Sequence, residues 1–187
     1  MKIKSAEFIK GIVTEDELLR SQLPQVALVG RSNVGKSSLI NAITGKQIAR
    51  SSVTPGKTRE LNLYLINKDF YLVDLPGYGF AKGSLQDRTN LKSLIYSYLF
   101  FSDIDHKRII LIVDAEVGAT ESDLYFIRRL HEQKKNFIVV ANKIDKIKKS
   151  QYQTKIDKIK SVIGDNLLIP CSTKNKAGIK EVLDAIS

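Results

Sequence analysis

A chain of 187 residues is long enough to bury a substantial core and, at roughly 150 residues per domain, too short for two full domains. Its 43% apolar and 27% charged residues exclude disordered and collagen-like classes, and its single cysteine, Cys171, excludes an internal disulfide framework or a cysteine-based zinc site. A net charge of +10 favours anionic partners, with nucleic acid, anionic lipid and phosphorylated ligands all open on charge alone.

Residues 1–23 read as a short N-terminal extension packed on a single domain that occupies the whole of 1–187. They lack the apolar core of a signal peptide, and no window approaches the roughly 18 apolar residues of a membrane span, so a cytoplasmic chain without membrane contact is expected. Further on, short apolar runs rich in β-branched residues alternate with segments of helical period, the pattern of an α/β fold with a mostly parallel sheet. Strands are expected at 26–29, 61–66, 70–73, 109–113, 137–141 and 167–169, six in all. Between the second and third stand Asn67, Lys68 and Asp69, too few for a crossover, so that pair is expected as an antiparallel hairpin at one edge. About five helices are expected, at 36–44, 87–101, 121–133, 150–163 and 177–186. In the fourth, Tyr152, Ile156, Ile159 and Ile163 form one apolar stripe, with Lys155, Lys158 and Lys160 off it. The stretches 46–60 and 75–86 read as loops.

The run Gly30, Arg31, Ser32, Asn33, Val34, Gly35, Lys36, Ser37 fits G-x-x-x-x-G-K-[ST], directly after a strand and directly before a helix, which is the context the motif requires. Such a loop curls its amides around the α- and β-phosphates of a nucleotide, with Lys36 reaching the β- and γ-phosphates and the Ser37 hydroxyl on magnesium. Asp74, Leu75, Pro76 and Gly77 follow the third strand, 38 residues beyond Lys36. There Asp74 would hold magnesium through a water and the Gly77 amide would meet the γ-phosphate. Asn142, Lys143, Ile144 and Asp145 fit N-K-x-D at the end of the fifth strand. The Asp145 carboxylate accepts both N1–H and the exocyclic amine of guanine, a pair that adenine does not offer. Asn142 would tie this loop to the phosphate loop and the Lys143 stem would cover a base face. Cys171, Ser172 and Thr173, at the last strand end, would offer backbone to the guanine oxygen. Between the first helix and second strand lie Thr54, Gly56, Lys57, Thr58, Arg59 and Glu60. Thr58 is the choice for completing the magnesium shell while the γ-phosphate is present, with Thr54 second.

Taken together, G-R-S-N-V-G-K-S, T-P-G-K-T-R, D-L-P-G-Y-G, N-K-I-D and C-S-T-K resemble the translation-factor-related branch of small GTPases. The segments S-S-V-T-P-G-K-T-R-E-L-N and D-L-P-G-Y-G-F-A resemble the EngB (YihA/YsxC) family of bacterial GTPases over nearly the whole chain. The resemblance implies a P-loop GTPase with a six-stranded sheet. It also implies nucleotide contacts at 30–37, 56–60, 74–77, 142–145 and 171–173, a role in large ribosomal subunit assembly, and a link to septation. Tyr78 stands where Ras-like proteins carry a water-orienting glutamine. No general base is therefore assigned, the catalytic set is Lys36, Thr58 and Gly77, and slow intrinsic hydrolysis stimulated by a partner is expected. Asn33 occupies the position at which related GTPases coordinate potassium. Between 142 and 160, seven lysines (Lys143, Lys146, Lys148, Lys149, Lys155, Lys158 and Lys160) outnumber two aspartates, a patch suited to ribosomal RNA phosphates. A monomer is expected. Two other readings are an RNA-binding module that holds guanine nucleotide without turnover, and an ATP-dependent small-molecule kinase, against which N-K-x-D argues.

Overall fold

The apolar runs come together as one seven-stranded sheet in a computed structural model that describes residues 1–13, 16–20, 22–49, 60–79 and 84–187. In chain order the elements are β1 (Ala6–Ile12), β2 (Gln25–Gly30), α1 (Lys36–Thr44), β3 (Leu61–Ile66), β4 (Phe70–Asp74), α2 (Leu85–Tyr96), β5 (His106–Asp114), α3 (Glu121–Glu132), β6 (Phe137–Asn142), α4 (Tyr152–Ile163), β7 (Leu168–Pro170) and α5 (Ile179–Ala185). The sheet order is β1-β3-β4-β2-β5-β6-β7, and β3 runs against both of its neighbours while the other pairs are parallel. This is an α/β architecture with a mostly parallel sheet, and it has one strand more than the six expected.

The additional strand is β1, drawn from the segment expected as an extension. It pairs with β3 and takes the sheet edge that the β3–β4 hairpin was expected to occupy. Only its ends, Ala6 and Ile12, are buried, and its register slips between Phe8 and Lys10, so an edge strand with a bulge shows no clean alternation of apolar residues. The hairpin turn receives it: Asn67 Oδ1 accepts the amides of Lys4 and Ser5 at 2.7 and 3.1 Å. Asn67 and Lys68 both have positive φ (51° and 62°) in the three-residue turn to Phe70, which the Asp69 amide closes by donating to the Ile66 carbonyl at 2.8 Å.

Helix boundaries moved where capping decides them. The second helix starts at Leu85, because Ser84 and Asp87 exchange hydrogen bonds in a capping box, and it ends in one wider π turn over Ser97–Phe101. Ahead of α4, Lys149–Gln151 forms a 3₁₀ turn. The stripe Ile156, Ile159 and Ile163 is buried as expected, with Tyr152 packed beside it.

Two apolar layers sandwich the sheet. Leu39, Ile40 and Ile43 of α1 and Ile179 and Val182 of α5 cover one face. Ile95 of α2, Phe126, Ile127 and Leu130 of α3, and Ile156 of α4 cover the other. β2, β4 and β6 are buried along their whole length, which is why they read as unbroken apolar runs. Parallel register then brings the carboxyl ends of β2, β4, β5 and β6 to one rim, the place where open α/β sheets bind ligands.

Candidate functional site

At that rim β2 ends in Gly30, and the loop to Lys36 makes two left-handed turns, at Asn33 (φ 65°) and Gly35 (φ 102°). Gly35 also faces the Asn142 side-chain amide so closely that a Cβ there would collide with it. The loop delivers the N-terminus of α1, with its unpaired amides, to the rim. Lys36 Nζ donates to the Gly30 and Arg31 carbonyls at 3.2 and 3.3 Å. Burial lowers its ammonium below the usual lysine range, and the nearby Asp74 charge offsets this in part.

Asp74, at the end of β4, is 3% exposed. Its Oδ2 accepts the Ser37 hydroxyl at 3.2 Å, and its Oδ1 is buried without a partner. Burial pushes this carboxyl up to about 6 against the lowering effects of Lys36 and the Ser37 hydrogen bond. A buried carboxylate with an unused oxygen beside a serine hydroxyl at the mouth of a phosphate loop is a donor set that suits a hydrated divalent cation. Leu75, Pro76 and Gly77 continue from it across the phosphate loop. The Tyr78 amide donates to the Gly30 carbonyl (3.3 Å), the Ser32 amide donates to the Tyr78 carbonyl (3.1 Å), and the Ser32 hydroxyl donates to the Gly77 carbonyl (3.3 Å). A Cβ on Gly77 would stand 2.7 Å from Ser32 N and Cα, so only glycine permits this approach.

The Tyr78 side chain leaves the rim. It stacks on Phe126 at 4.2 Å between centroids, and its hydroxyl donates to Asp123 Oδ1 at 2.7 Å. Burial first, and then the Asp123 carboxylate, hold the phenol well above its ordinary value. Tyr78 in this position does not stand in for a water-orienting glutamine.

The base-recognition loop is tied down at each residue. Asn142 is fully buried, donates through Nδ2 to the Val34 carbonyl at 2.8 Å and accepts the Thr173 amide at 3.3 Å, so it links the guanine and phosphate loops as its motif implies. Lys143 Nζ donates to the Asn33 carbonyl (2.6 Å) and pairs with Asp114 (2.8 Å). Burial alone would raise the Asp114 carboxyl, but the Lys143 hydrogen bond and charge, with the amides of Glu116 and Val117, hold it below its usual value. Asp145 Oδ1 accepts the Ser172 hydroxyl at 2.5 Å, which orients the carboxylate expected to select guanine. The Ile144 amide donates to the Cys171 carbonyl at 3.1 Å, which places 171–173 beside this loop. Burial pushes the Cys171 thiol up to about 11, with Glu181 adding to it, the behaviour of a packing residue rather than a nucleophile.

Thr54, Gly56, Lys57, Thr58 and Arg59 lie outside the described residues. Glu60, at the start of β3, has its carboxylate against Gly11 of β1. The lysine patch divides. Lys143 is spent inside the site, Lys155 donates to the Glu116 carbonyl, and Lys146 lies 3.9 Å from Glu116, while Lys148, Lys149, Lys158 and Lys160 are exposed. Motif reading missed Asp114 and Asp123. The first is signalled only by a carboxylate ending an apolar run, and the second by the capping spacing Thr120-x-x-Asp123.

Residues 25–143 match the family described as 50S ribosome-binding GTPase, and 105–187 match the elongation factor Tu GTP-binding domain. A probable GTP-binding protein EngB of Clostridium perfringens (strain 13 / Type A) is 42% identical over 98% of this chain and 95% of its own. Its counterpart in Thermotoga maritima is 40% identical over 100% and 97%.

The chain belongs to the EngB family.

As a member of it, this GTPase binds GTP and GDP and hydrolyses GTP. Among solved structures it is similar to a crystal structure of a probable GTP-binding protein engB (TM-score 0.73, 26% identity, 87% of this chain and 96% of that one). It is also similar to Era in complex with MgGDPNP and nucleotides 1506–1542 of 16S ribosomal RNA (TM-score 0.71, 27% identity, 88% of this chain and 55% of that one). GTPases of this kind generally use magnesium.

Proposed function

We propose that this EngB-family GTPase is a nucleotide-controlled switch in assembly of the large ribosomal subunit. It would act in the cytoplasm as a monomer, and normal septation would need it. The observation that carries the reading is the adjacency of two features: a guanine nucleotide site assembled across four strand ends, and the exposed cations Lys148, Lys149, Lys158 and Lys160 on the turn and helix that follow its guanine loop. Cations so placed engage RNA phosphates without reading bases. The family described as 50S ribosome-binding, and the RNA bound by Era in its own complex, support an RNA-rich partner.

Within the site, 30–37 would wrap the phosphates and Lys36 would exchange its two loop carbonyls for phosphate oxygens. Ser37 directly and Asp74 through a water would hold magnesium, with Thr58 completing the shell. When bound, the ion would neutralise phosphate charge. Gly77 would donate its amide to the γ-phosphate and Asp145 would select guanine. Potassium at Asn33 would add positive charge beside the phosphates, which predicts faster hydrolysis in potassium than in sodium buffer. Since Tyr78 is turned away, hydrolysis would be slow until a partner supplies or orders the missing group.

The test is sedimentation of the full chain with large-subunit particles in a GTP analogue and in GDP, with a salt titration and a Lys148→Glu, Lys149→Glu, Lys158→Glu, Lys160→Glu variant. Nucleotide-dependent co-sedimentation that weakens with salt and with charge reversal is expected. Pelleting that ignores nucleotide, or that survives both treatments, rejects the proposal.

A further inference from the structure

Away from the motif residues, one buried carboxylate gathers three parts of the molecule. Asp123 lies in the first turn of α3 with no exposed surface. Its Oδ1 accepts the Tyr78 hydroxyl at 2.7 Å. Its Oδ2 accepts the Thr120 amide and hydroxyl at 2.8 and 2.7 Å and lies 3.3 Å from Arg31 Nε. Thr120 and the helix start are accounted for by capping. Tyr78 and Arg31 are not, since each belongs to a segment of the nucleotide site: Tyr78 directly follows Gly77, and Arg31 directly follows Gly30. Their backbones are already bridged as a short parallel pair. The carboxylate therefore takes a hydrogen bond from Tyr78 and an ion pair, without a hydrogen bond, from Arg31, on two segments whose main chains are zipped together, and the Tyr78–Phe126 stack fixes the tyrosine ring from the other side.

We propose that Asp123 is a positioning residue for the γ-phosphate end of the site. By holding Tyr78 and Arg31 it keeps Gly77 seated on the phosphate loop and thereby favours the triphosphate over the diphosphate. The reasoning is one of preorganisation. A segment that is loose in the free protein must be ordered when its amide meets a ligand, and that entropy is charged against binding. GDP leaves the γ-position empty and does not call on Gly77, so the clamp acts selectively on GTP.

The inference rests on the family's GTP binding and not on a ribosomal role. Tyr78→Phe is the sharpest probe, because it keeps the ring on Phe126 and removes only the hydroxyl that reaches Asp123. A non-hydrolysable GTP analogue and GDP are titrated separately by calorimetry against wild type, Tyr78→Phe, Asp123→Asn and the double variant, with thermal midpoints recorded alongside. Affinity for the analogue is expected to fall about fivefold or more in each single variant. GDP affinity should stay within about twofold, and the double variant should be no weaker than Asp123→Asn. Equal losses for both nucleotides would show the contact to be merely structural, and unchanged affinities would show that the clamp positions nothing. Either outcome overturns the proposal, and Tyr78→Phe alone decides it should Asp123→Asn not fold.

Discussion

At the base end of the site, Asn142, Lys143 and Asp145 each reach across to another loop by hydrogen bonds of 2.5 to 3.3 Å, whereas at the phosphate end Lys36 leans on two loop carbonyls and one oxygen of Asp74 is buried with no partner. The difference follows what each end would recognise on the proposed reading. Guanine is a rigid, neutral ring whose hydrogen-bonding edge can be matched in advance by fixed side chains. Phosphates and their cation carry charge that the protein must desolvate, so of the groups able to meet them Lys36 rests on loop carbonyls and Asp74 Oδ1 stands unsatisfied until they arrive. One end stores order, and the other stores unmet polarity.

The comparison breaks most easily at Asp145. If the base end is prebuilt around this carboxylate, Asp145→Asn should weaken GTP by about 100-fold or more, because an amide can no longer accept both guanine donors and presents a donor to one of them. Xanthosine triphosphate, with a carbonyl where guanine has its amine, should gain relative to GTP. Fluorescent-nucleotide displacement with GTP, xanthosine triphosphate and ATP measures this. A variant that kept its preference for GTP would place guanine selection elsewhere.

Gly77 tests the phosphate end. An added Cβ 2.7 Å from Ser32 backbone must push the segment off the loop. At the roughly 1–3 kcal/mol typical of overpacking, Gly77→Ala should slow single-turnover GTP hydrolysis about tenfold or more. GDP affinity should change by less than about threefold. Equal damage to both nucleotides would mean that the whole phosphate loop had been deformed.

The same asymmetry decided what could be read from the residues in order. The phosphate loop, the aspartate and glycine at 74 and 77 and the guanine loop were legible, because each needs particular residue types at fixed spacing next to a strand. β2 through β7 were legible as apolar runs. β1 was not, since Phe8 and Ile9 remain exposed and a bulge breaks the alternation, and its place in the sheet depends on backbone pairing with β3 and on Asn67. The partners of Asp114 and Asp123 were invisible for a different reason. Each aspartate works through a partner 29 and 45 residues away in sequence, Lys143 and Tyr78, and no local pattern announces such a pair. The lysine patch misled in part because spacing cannot distinguish a cation facing solvent from one such as Lys143 that is spent on the protein's own oxygens.

Asp74 offers the finest test, because there the two kinds of order trade against each other. In the nucleotide-free protein its ionised form is buried beside Lys36, and burial outweighs that neighbour in raising the carboxyl, so the charge carries a desolvation cost that a neutral amide lowers. Asp74→Asn preserves shape and an oxygen to accept the Ser37 hydroxyl. It should therefore stabilise the nucleotide-free chain by about 1–2 kcal/mol, which for a protein of this size raises the thermal midpoint by about 2–4 °C per kcal/mol. With magnesium and GTP present the order should reverse. Wild type gains stability from ligand binding in proportion to the logarithm of its affinity, and the variant, lacking the charge that meets the cation, gains less. Thermal denaturation of both proteins with and without the ligand pair reads the crossing directly. Parallel curves, with wild type the more stable in both conditions, would show that Asp74 is paid for within the free protein, and the contrast between the two ends of the site would then lose its physical basis.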